Sequence, residues 1–139
     1  IKLIQLLLHR EPELRVFLLG APGEHTLAES IRLSSESGQV HNLAGELSFL
    51  ESAALMSKAG MNYVNDSAPL HLASAMNAPV TAVFCSTVPE FGFGPLSTRQ
   101  RVIQTSRQLS CRPCGIHGFR ACPKGHFQCA TTIDPQELL

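Results

Sequence analysis

The stretch Tyr63-Val64-Asn65-Asp66-Ser67-Ala68-Pro69-Leu70-His71 joins a short apolar strand to a helix through a polar turn. Ser67 is of the type preferred at a helix N-cap, and Pro69 is tolerated in the first turn because the N–H that proline lacks would be unpaired there. We expect the backbone N–H groups of residues 67–70 to face the carboxyl end of the sheet. The stretch therefore predicts an α/β fold with a helix N-terminus at a ligand crevice.

Short apolar strands alternate with amphipathic helices on either side of this stretch. The pattern predicts strands at residues 15–20, 40–44, 61–64, 79–85 and 101–104, and helices at residues 1–10, 24–37, 48–59 and 67–76. Ser48 and Glu51 have the spacing of a capping box. The alternation predicts one parallel sheet with helices on both faces, formed by residues 1–110. Residues 111–139 are predicted to form a cysteine-rich appendage packed on that domain.

Composition excludes several classes of function. The 139 residues suffice for one domain, and Lys+Arg equals Asp+Glu at 11 each, so no overall field favours nucleic acid or an anionic surface. No apolar run approaches the length of a membrane span. The chain starts at Ile1 and enters an apolar pattern without a cap, so we expect it to be a fragment of a longer protein.

The residues around the turn suit an anionic ligand that also carries hydroxyls. Free N–H groups at a helix start favour a diphosphate, and His71 lies in the same first turn. Asp66 would repel a phosphate, so a sugar or ribose hydroxyl is its expected partner. The alternative is that Asp66 and Ser67 only cap the helix and that His71 is a partly buried histidine. The residues alone leave both interpretations open.

Two other turns follow predicted strands. The stretch Gly20-Ala21-Pro22-Gly23-Glu24 matches neither a P-loop nor a dinucleotide motif, and a tight turn requires glycine in any case. After the strand at residues 79–85, Thr87 offers a hydroxyl. Phe91 and Phe93 either shield a ligand or simply hold the loop in place.

The four cysteines near the C-terminus form the second strong local pattern, Cys111-x2-Cys114-x7-Cys122-x6-Cys129, with His117 and His126 between them. Four thiols opening with C-x-x-C suit structural zinc, with no open position for catalysis. The alternatives are reduced thiols that serve packing, disulfides, and an iron–sulfur cluster. Cys85, in an apolar strand, is expected to serve packing.

Residues 65–75, followed by Ala78-Pro79-Val80, resemble the signature D-[ST]-G-P-x-H-[LI]-A-A-A of glycosyltransferase family 9. Residues 43–51 are similar to the L-x-G-x-x-S-L-x-E segment of that family, and residues 129–135 to its C-x-x-x-I-x-P segment. The resemblance extends from about Arg15 to the C-terminus. Ala68 stands where the family usually has glycine, which narrows the approach of a phosphate. Cys85 replaces the glycine of a G-x-T-x-P segment.

The resemblance implies a GT-B enzyme of two facing Rossmann-like domains, of which this chain is the C-terminal, donor-binding half. The implied reaction is inverting transfer of heptose from ADP-heptose to the lipid A–core oligosaccharide, without a catalytic metal. The acceptor, the general base, and a lysine and threonines that neutralise the diphosphate would lie outside this chain. No catalytic residue is therefore assigned here, and the chain alone is expected to be inactive. The implied location is cytoplasmic, at the inner face of the inner membrane, through peripheral contact.

The resemblance also assigns residues to the nucleotide-sugar site. Glu24 matches the glutamate of a G-x-x-x-E segment that binds the ribose hydroxyls. The predicted binding residues are Gly20, Glu24, Asp66, Ser67, Ala68, Leu70, His71 and Thr87. Two alternatives stay open, namely a GT-B donor domain for a UDP- or GDP-sugar and a zinc-stabilised binding module.

Overall fold

A computed structural model describes residues 1–139 and divides them into two compact units. The first unit comprises Ile1–Ser52 with Leu139, and the second comprises Ala53–Leu138. The predicted boundary between residues 110 and 111 does not coincide with this division. Residues 111–138 belong to the second unit, where hydrogen bonds from Arg112 and Cys114 tie them to the end of a central strand.

The first unit contains a two-stranded parallel sheet. Its elements are α1 (Lys2–Arg10), β1 (Val16–Leu18), α2 (His25–Ser34) and β2 (Val40–Asn42). Val16 of β1 lies opposite Val40 of β2. The buried apolar side chains of this unit are few and small, which leaves it with a modest core: Ile4, Ala28, Val40 and Ala44.

Helix α3 (Phe49–Lys58) begins in the first unit and starts with the predicted capping box. The Glu51 carboxylate accepts hydrogen bonds from the backbone N–H of Ser48 at 2.8 Å and from its hydroxyl at 2.6 Å. The Ser48 hydroxyl in turn accepts from the N–H of Glu51 at 3.3 Å. These bonds lower the pKa of Glu51, because they favour the ionised carboxylate. The capping prediction is confirmed.

The second unit contains a three-stranded parallel sheet in the order β3-β4-β5. Its elements, after the remainder of α3, are β3 (Asn62–Asn65), α4 (Ala68–Ala75), β4 (Val80–Phe84), β5 (Gln100–Gln104) and α5 (Gln128–Thr131). Its central strand β4 and the helix α4 supply the largest fully buried side chains, Leu70, Val80, Thr81 and Phe84. This core fixes the carboxyl ends of β3 and β4, which carry the site.

The prediction of a mixed α/β fold with parallel strands is confirmed, and the prediction of a single sheet is wrong. The five strands form a two-stranded sheet, β1-β2, and a three-stranded sheet, β3-β4-β5. An apolar run identifies a strand but carries no information about its partner, which explains the error. The predicted helix at residues 24–37 is also shorter, because Glu36 adopts a left-handed φ of 50°. None of the helices is long and apolar enough to cross a membrane.

Candidate functional site

Asp66 and Thr87, two predicted site residues, are in direct contact. Asp66 follows β3 and donates its backbone N–H to the carbonyl of Val83 in β4, at 3.2 Å. The hydroxyl of Thr87 donates to Asp66 Oδ2 at 2.5 Å, and Thr87 is buried. β3 and β4 run parallel with Asn65 opposite Val83, so the residues that follow the two strands emerge at the same edge of the sheet.

The first turn of α4 leaves two backbone donors exposed. Ser67 is the N-cap and has an extended backbone, with φ −163° and ψ 178°. Its hydroxyl donates to the carbonyl of Asn65 at 3.4 Å and makes no capping bond, contrary to the sequence prediction. The N–H groups of Ser67 and Ala68 lie at an exposed helix start, as an anion-binding terminus requires.

Leu70 does not fit its predicted role at this site. Its N–H donates to the carbonyl of Ser67 at 2.9 Å, and its side chain is fully buried. Pro69 has no N–H to offer. Turn formation uses the donor of Leu70 and core packing uses its side chain, so its assignment to the binding residues stays a prediction without support from this geometry.

His71 is exposed in the first turn of α4 and meets an aromatic residue of the following loop. Its ring contacts Phe93 edge-on, with centroids 6.5 Å apart and an interplanar angle of 77°. Phe93 is itself 45% exposed. The interpretation of His71 as a partly buried histidine is wrong, because the residue is exposed, and the pair forms an accessible imidazole beside an apolar ring.

Gly20 and Glu24 belong to the first unit, whereas the other predicted binding residues belong to the second. Glu24 Oε2 accepts a hydrogen bond from the N–H of Ala21 at 2.7 Å. A Cβ at Gly20 would lie 2.9 Å from the same oxygen, so glycine lets the carboxylate fold back on its turn. The role of Glu24 toward a ribose stays a prediction.

All five cysteines are free thiols. Three of them line a cavity of about 270 Å³ whose wall includes Cys111, Pro113, Cys114, Phe119, Cys122 and Lys124. Cys111 Sγ lies 3.9 Å from His126 Nε2, and Cys129 is buried. No group of three or more histidine, cysteine, aspartate or glutamate side chains has the arrangement of a metal site. The zinc hypothesis stays a prediction without support from this geometry.

The thiols differ in their tendency to ionise. The backbone N–H of Phe127 donates to Cys122 Sγ at 3.4 Å. This bond, with further N–H groups of the same turn, lowers the pKa of Cys122, because such donors stabilise a thiolate. Burial raises the pKa of Cys85 and of Cys129. Cys122 is thus better able to form a thiolate than either of those two cysteines.

The sequence analysis missed Arg112, which lies between the first two cysteines. Its guanidinium is half-buried and donates to the carbonyls of Cys85 and Thr87, at 2.7 and 2.8 Å. The Thr87 carbonyl lies 25 residues earlier in the chain. A lone arginine in a cysteine-rich segment gives no sequence signal of such a contact.

Comparison with known proteins places these features in context. The family model described as glycosyltransferase family 9 (heptosyltransferase) matches residues 2–118. Over 130 residues the chain is 29% identical to lipopolysaccharide heptosyltransferase 2 of Escherichia coli strain K12. Its identity to the Salmonella typhimurium LT2 protein of the same name is also 29%. Each match covers 90% of this chain and 35% of the relative, so the chain spans about a third of the relatives' length.

Two solved structures share the fold. The E. coli ADP-heptose lps heptosyltransferase II superposes with a TM-score of 0.68 at 26% identity, covering 81% of this chain and 36% of that one. The glycosyl transferase family 9 protein from Veillonella parvula DSM 2008 superposes with a TM-score of 0.70 at 18% identity, covering 89% and 34%. The second likeness concerns the fold alone.

Proposed function

Because the chain belongs to glycosyltransferase family 9, we propose that it binds the donor ADP-heptose in an enzyme that adds heptose to the lipopolysaccharide inner core. The observation that carries the proposal is the Asp66–Thr87 contact beside the exposed start of α4. The names of the relatives support the donor and the acceptor. The acceptor site and the general base are proposed to lie outside these 139 residues.

The proposed contacts divide the donor into an anionic part and a hydroxyl-bearing part. The N–H groups of Ser67 and Ala68, with the positive end of the α4 dipole, bind the diphosphate. Thr87 occupies Asp66 Oδ2, so Asp66 Oδ1 is left to accept a bond from a sugar or ribose hydroxyl. An ionised acceptor gives a strong bond to an O–H donor, which suits Asp66 to this role.

The proposed reaction is a direct displacement with inversion. An acceptor hydroxyl oxygen attacks the anomeric carbon of heptose on the face opposite the diphosphate. The bond from that carbon to the diphosphate oxygen breaks, and its electron pair leaves with ADP. The acceptor proton passes to a carboxylate outside this chain. Ser67 and Ala68 stabilise the charge that develops on the leaving diphosphate. The lipid-linked acceptor would bring the enzyme to the inner membrane's cytoplasmic face by peripheral contact.

Calorimetry of the chain with ADP, UDP and GDP tests the choice of base. We expect ADP to bind most tightly. If only UDP or GDP bound, the proposed donor would be a UDP- or GDP-sugar instead of ADP-heptose. Asp66→Asn should weaken ADP-heptose binding by about tenfold, because it removes a charged acceptor. Asp134→Asn is the matched control, since Asp134 Oδ1 accepts only a local bond from the N–H of Gln136 at 2.9 Å. Equal losses in the two variants would contradict a specific role for Asp66.

The zinc-stabilised binding module is tested by thiol labelling at increasing pH. If the thiols are metal-free, alkylation should reach Cys122 at lower pH than Cys85 or Cys129, following the directions of their pKa shifts. Bound zinc would instead protect Cys111, Cys114, Cys122 and Cys129 together, until a chelator releases them. Collective protection without nucleotide affinity would favour the binding module over the transferase.

A further inference from the structure

The backbone carbonyls at the start of the loop after β4, residues 85–87, are held by one short segment, Arg112–Pro113–Cys114. Arg112 Nε donates to the carbonyl of Cys85 at 2.7 Å, and Arg112 Nη2 donates to the carbonyl of Thr87 at 2.8 Å. The N–H of Cys114 donates to the carbonyl of Ser86 at 2.8 Å. Three consecutive carbonyls of the loop, at residues 85–87, are therefore fixed by residues 112–114.

Two further contacts hold residues 112–118 in place, one with the sheet and one with the loop. Arg112 Nη2 also donates to Gln104 Oε1 at the end of β5, at 2.7 Å. Gly118 lies so close to the loop that a Cβ there would sit 2.6 Å from Ser86 Oγ, and its φ is +73°. No carboxylate forms an ion pair with Arg112. The one ion pair in the structure joins Arg32 and Glu29. The guanidinium makes its hydrogen bonds to neutral carbonyl and amide acceptors, which it holds in place.

The held loop supplies the side chain that orients Asp66. Thr87 is buried, and its hydroxyl donates to Asp66 Oδ2 at 2.5 Å while its carbonyl accepts from Arg112. A continuous set of hydrogen bonds thus runs from Arg112 through Thr87 to Asp66. If Arg112 were absent, the carbonyls of Cys85 and Thr87 would each lose this partner, and only the bond from Cys114 to Ser86 would remain of the three bonds that hold residues 85–87.

We propose that Arg112 is a positioning residue for donor binding, which fixes Thr87 so that the threonine hydroxyl orients the Asp66 carboxylate. The proposal rests on the donor-binding function proposed above, and Arg112 itself makes no contact with the donor. Arginine suits this task because its planar fork of donors reaches several acceptors in fixed directions, whereas lysine presents a single flexible ammonium.

Calorimetry with ADP on the full chain tests the proposal. Arg112→Ala should weaken ADP binding by about tenfold or more, and Arg112→Lys should lie between it and the wild type. Arg101→Ala is the matched control, because Arg101 Nη2 donates to the carbonyl of Glu137 at 2.8 Å, outside the loop. Its affinity should stay within about twofold of the wild type. Equal losses in Arg112→Ala and Arg101→Ala would overturn the proposal.

A double-mutant cycle separates positioning from general destabilisation. In a Thr87→Val background the connection to Asp66 is already broken, so Arg112→Ala should weaken ADP binding by no more than about twofold further. A purely structural role for Arg112 predicts the same additional loss in both backgrounds, and that result would overturn the proposal. Arg112→Lys provides the same comparison if the alanine variant does not fold.

Hydrogen exchange tests Arg112 without any nucleotide. The peptide that covers residues 85–89 should exchange faster in Arg112→Ala than in Arg101→Ala, because only the first change releases the loop carbonyls. Unchanged exchange would overturn the positioning role. If the wild-type chain binds no nucleotide but the loop exchanges faster in Arg112→Ala, the proposed function fails while the action of Arg112 on the loop stands.

Discussion

The strand–turn–helix connections from β1 to α2 and from β3 to α4 both place a carboxylate beside a helix start, and they use it differently. In the connection from β1 to α2, Glu24 folds back and accepts from Ala21 in its own turn. In the connection from β3 to α4, Asp66 accepts from Thr87 of a neighbouring loop. The first connection is closed by its own side chain, and the second leaves backbone donors exposed. The type of residue at a helix start therefore does not decide whether the terminus is available to a ligand.

The helices that follow the two connections, α2 and α4, differ in how deeply their leucines are buried. This difference gives the largest expected effect on the free energy of unfolding. Leu70 of α4 is fully buried, whereas Leu27 of α2 is 63% exposed. Leu70→Ala should lower the free energy of unfolding by about 2–5 kcal/mol, through lost burial and the cavity left behind. Leu27→Ala should change it by less than about 0.5 kcal/mol. Urea denaturation of both variants measures the difference, and comparable losses would contradict the view that Leu70 anchors its helix in a core and Leu27 does not.

A glycine that packs against the first connection, Gly45, should be nearly as sensitive to substitution. Gly45 has a φ of +81° and donates its N–H to the carbonyl of Gly20 at 2.9 Å, and a Cβ on it would lie 2.7 Å from Pro22 Cα. Gly45→Ala should destabilise the chain by about 1–3 kcal/mol because of backbone strain and overpacking. Gly60→Ala, where a Cβ meets open space, is the control. A tolerated Gly45→Ala would show that this turn relaxes freely.

Local features at the helix starts could be predicted from sequence, whereas contacts between distant residues could not. The N-cap at Ser67, the proline after it and the Ser48–Glu51 box depend on neighbours within three residues, so short patterns suffice to place them. The Thr87–Asp66 bond spans 21 residues and the Arg112–Thr87 bond spans 25. Such contacts depend on which strands pair. Strand pairing is also why the five strands form two sheets instead of the predicted one.

Leu70 shows a further limit of motif-based assignment. It lies inside the stretch that resembles the family signature, yet its side chain is fully buried and its N–H closes the turn. A signature combines residues that bind a ligand with residues that hold the backbone in place. Sequence alone does not separate the two kinds, because both are required for the same site to form.

Substitution of Glu24 tests whether its carboxylate leaves the N–H of Ala21, in the connection from β1 to α2, to bind a ligand. If Glu24 leaves Ala21 to bind a ribose, Glu24→Gln should weaken ADP binding by about tenfold, because a neutral amide is a poorer acceptor for two hydroxyls. With 2′-deoxy-ADP, which lacks one ribose hydroxyl, Glu24→Gln should weaken binding clearly less than it does with ADP. Calorimetry of both nucleotides measures this difference. Equal losses would show that Glu24 acts through its turn and not through the ribose.

Substitution at Ala68 gives the smallest expected effect. It tests whether the exposed N–H groups in the connection from β3 to α4 bind the diphosphate. Ala68→Gly would restore the glycine usual in the family and remove the methyl group that narrows the approach to the exposed N–H groups. A small gain in ADP affinity of about two- to fourfold is expected, against a loss of folding stability below about 1 kcal/mol from the glycine. Ala75→Gly, at the other end of α4, should lower stability without changing affinity. If Ala68→Gly left ADP affinity unchanged, the diphosphate would not lie against Ala68, and the exposed donors of α4 would need a different ligand.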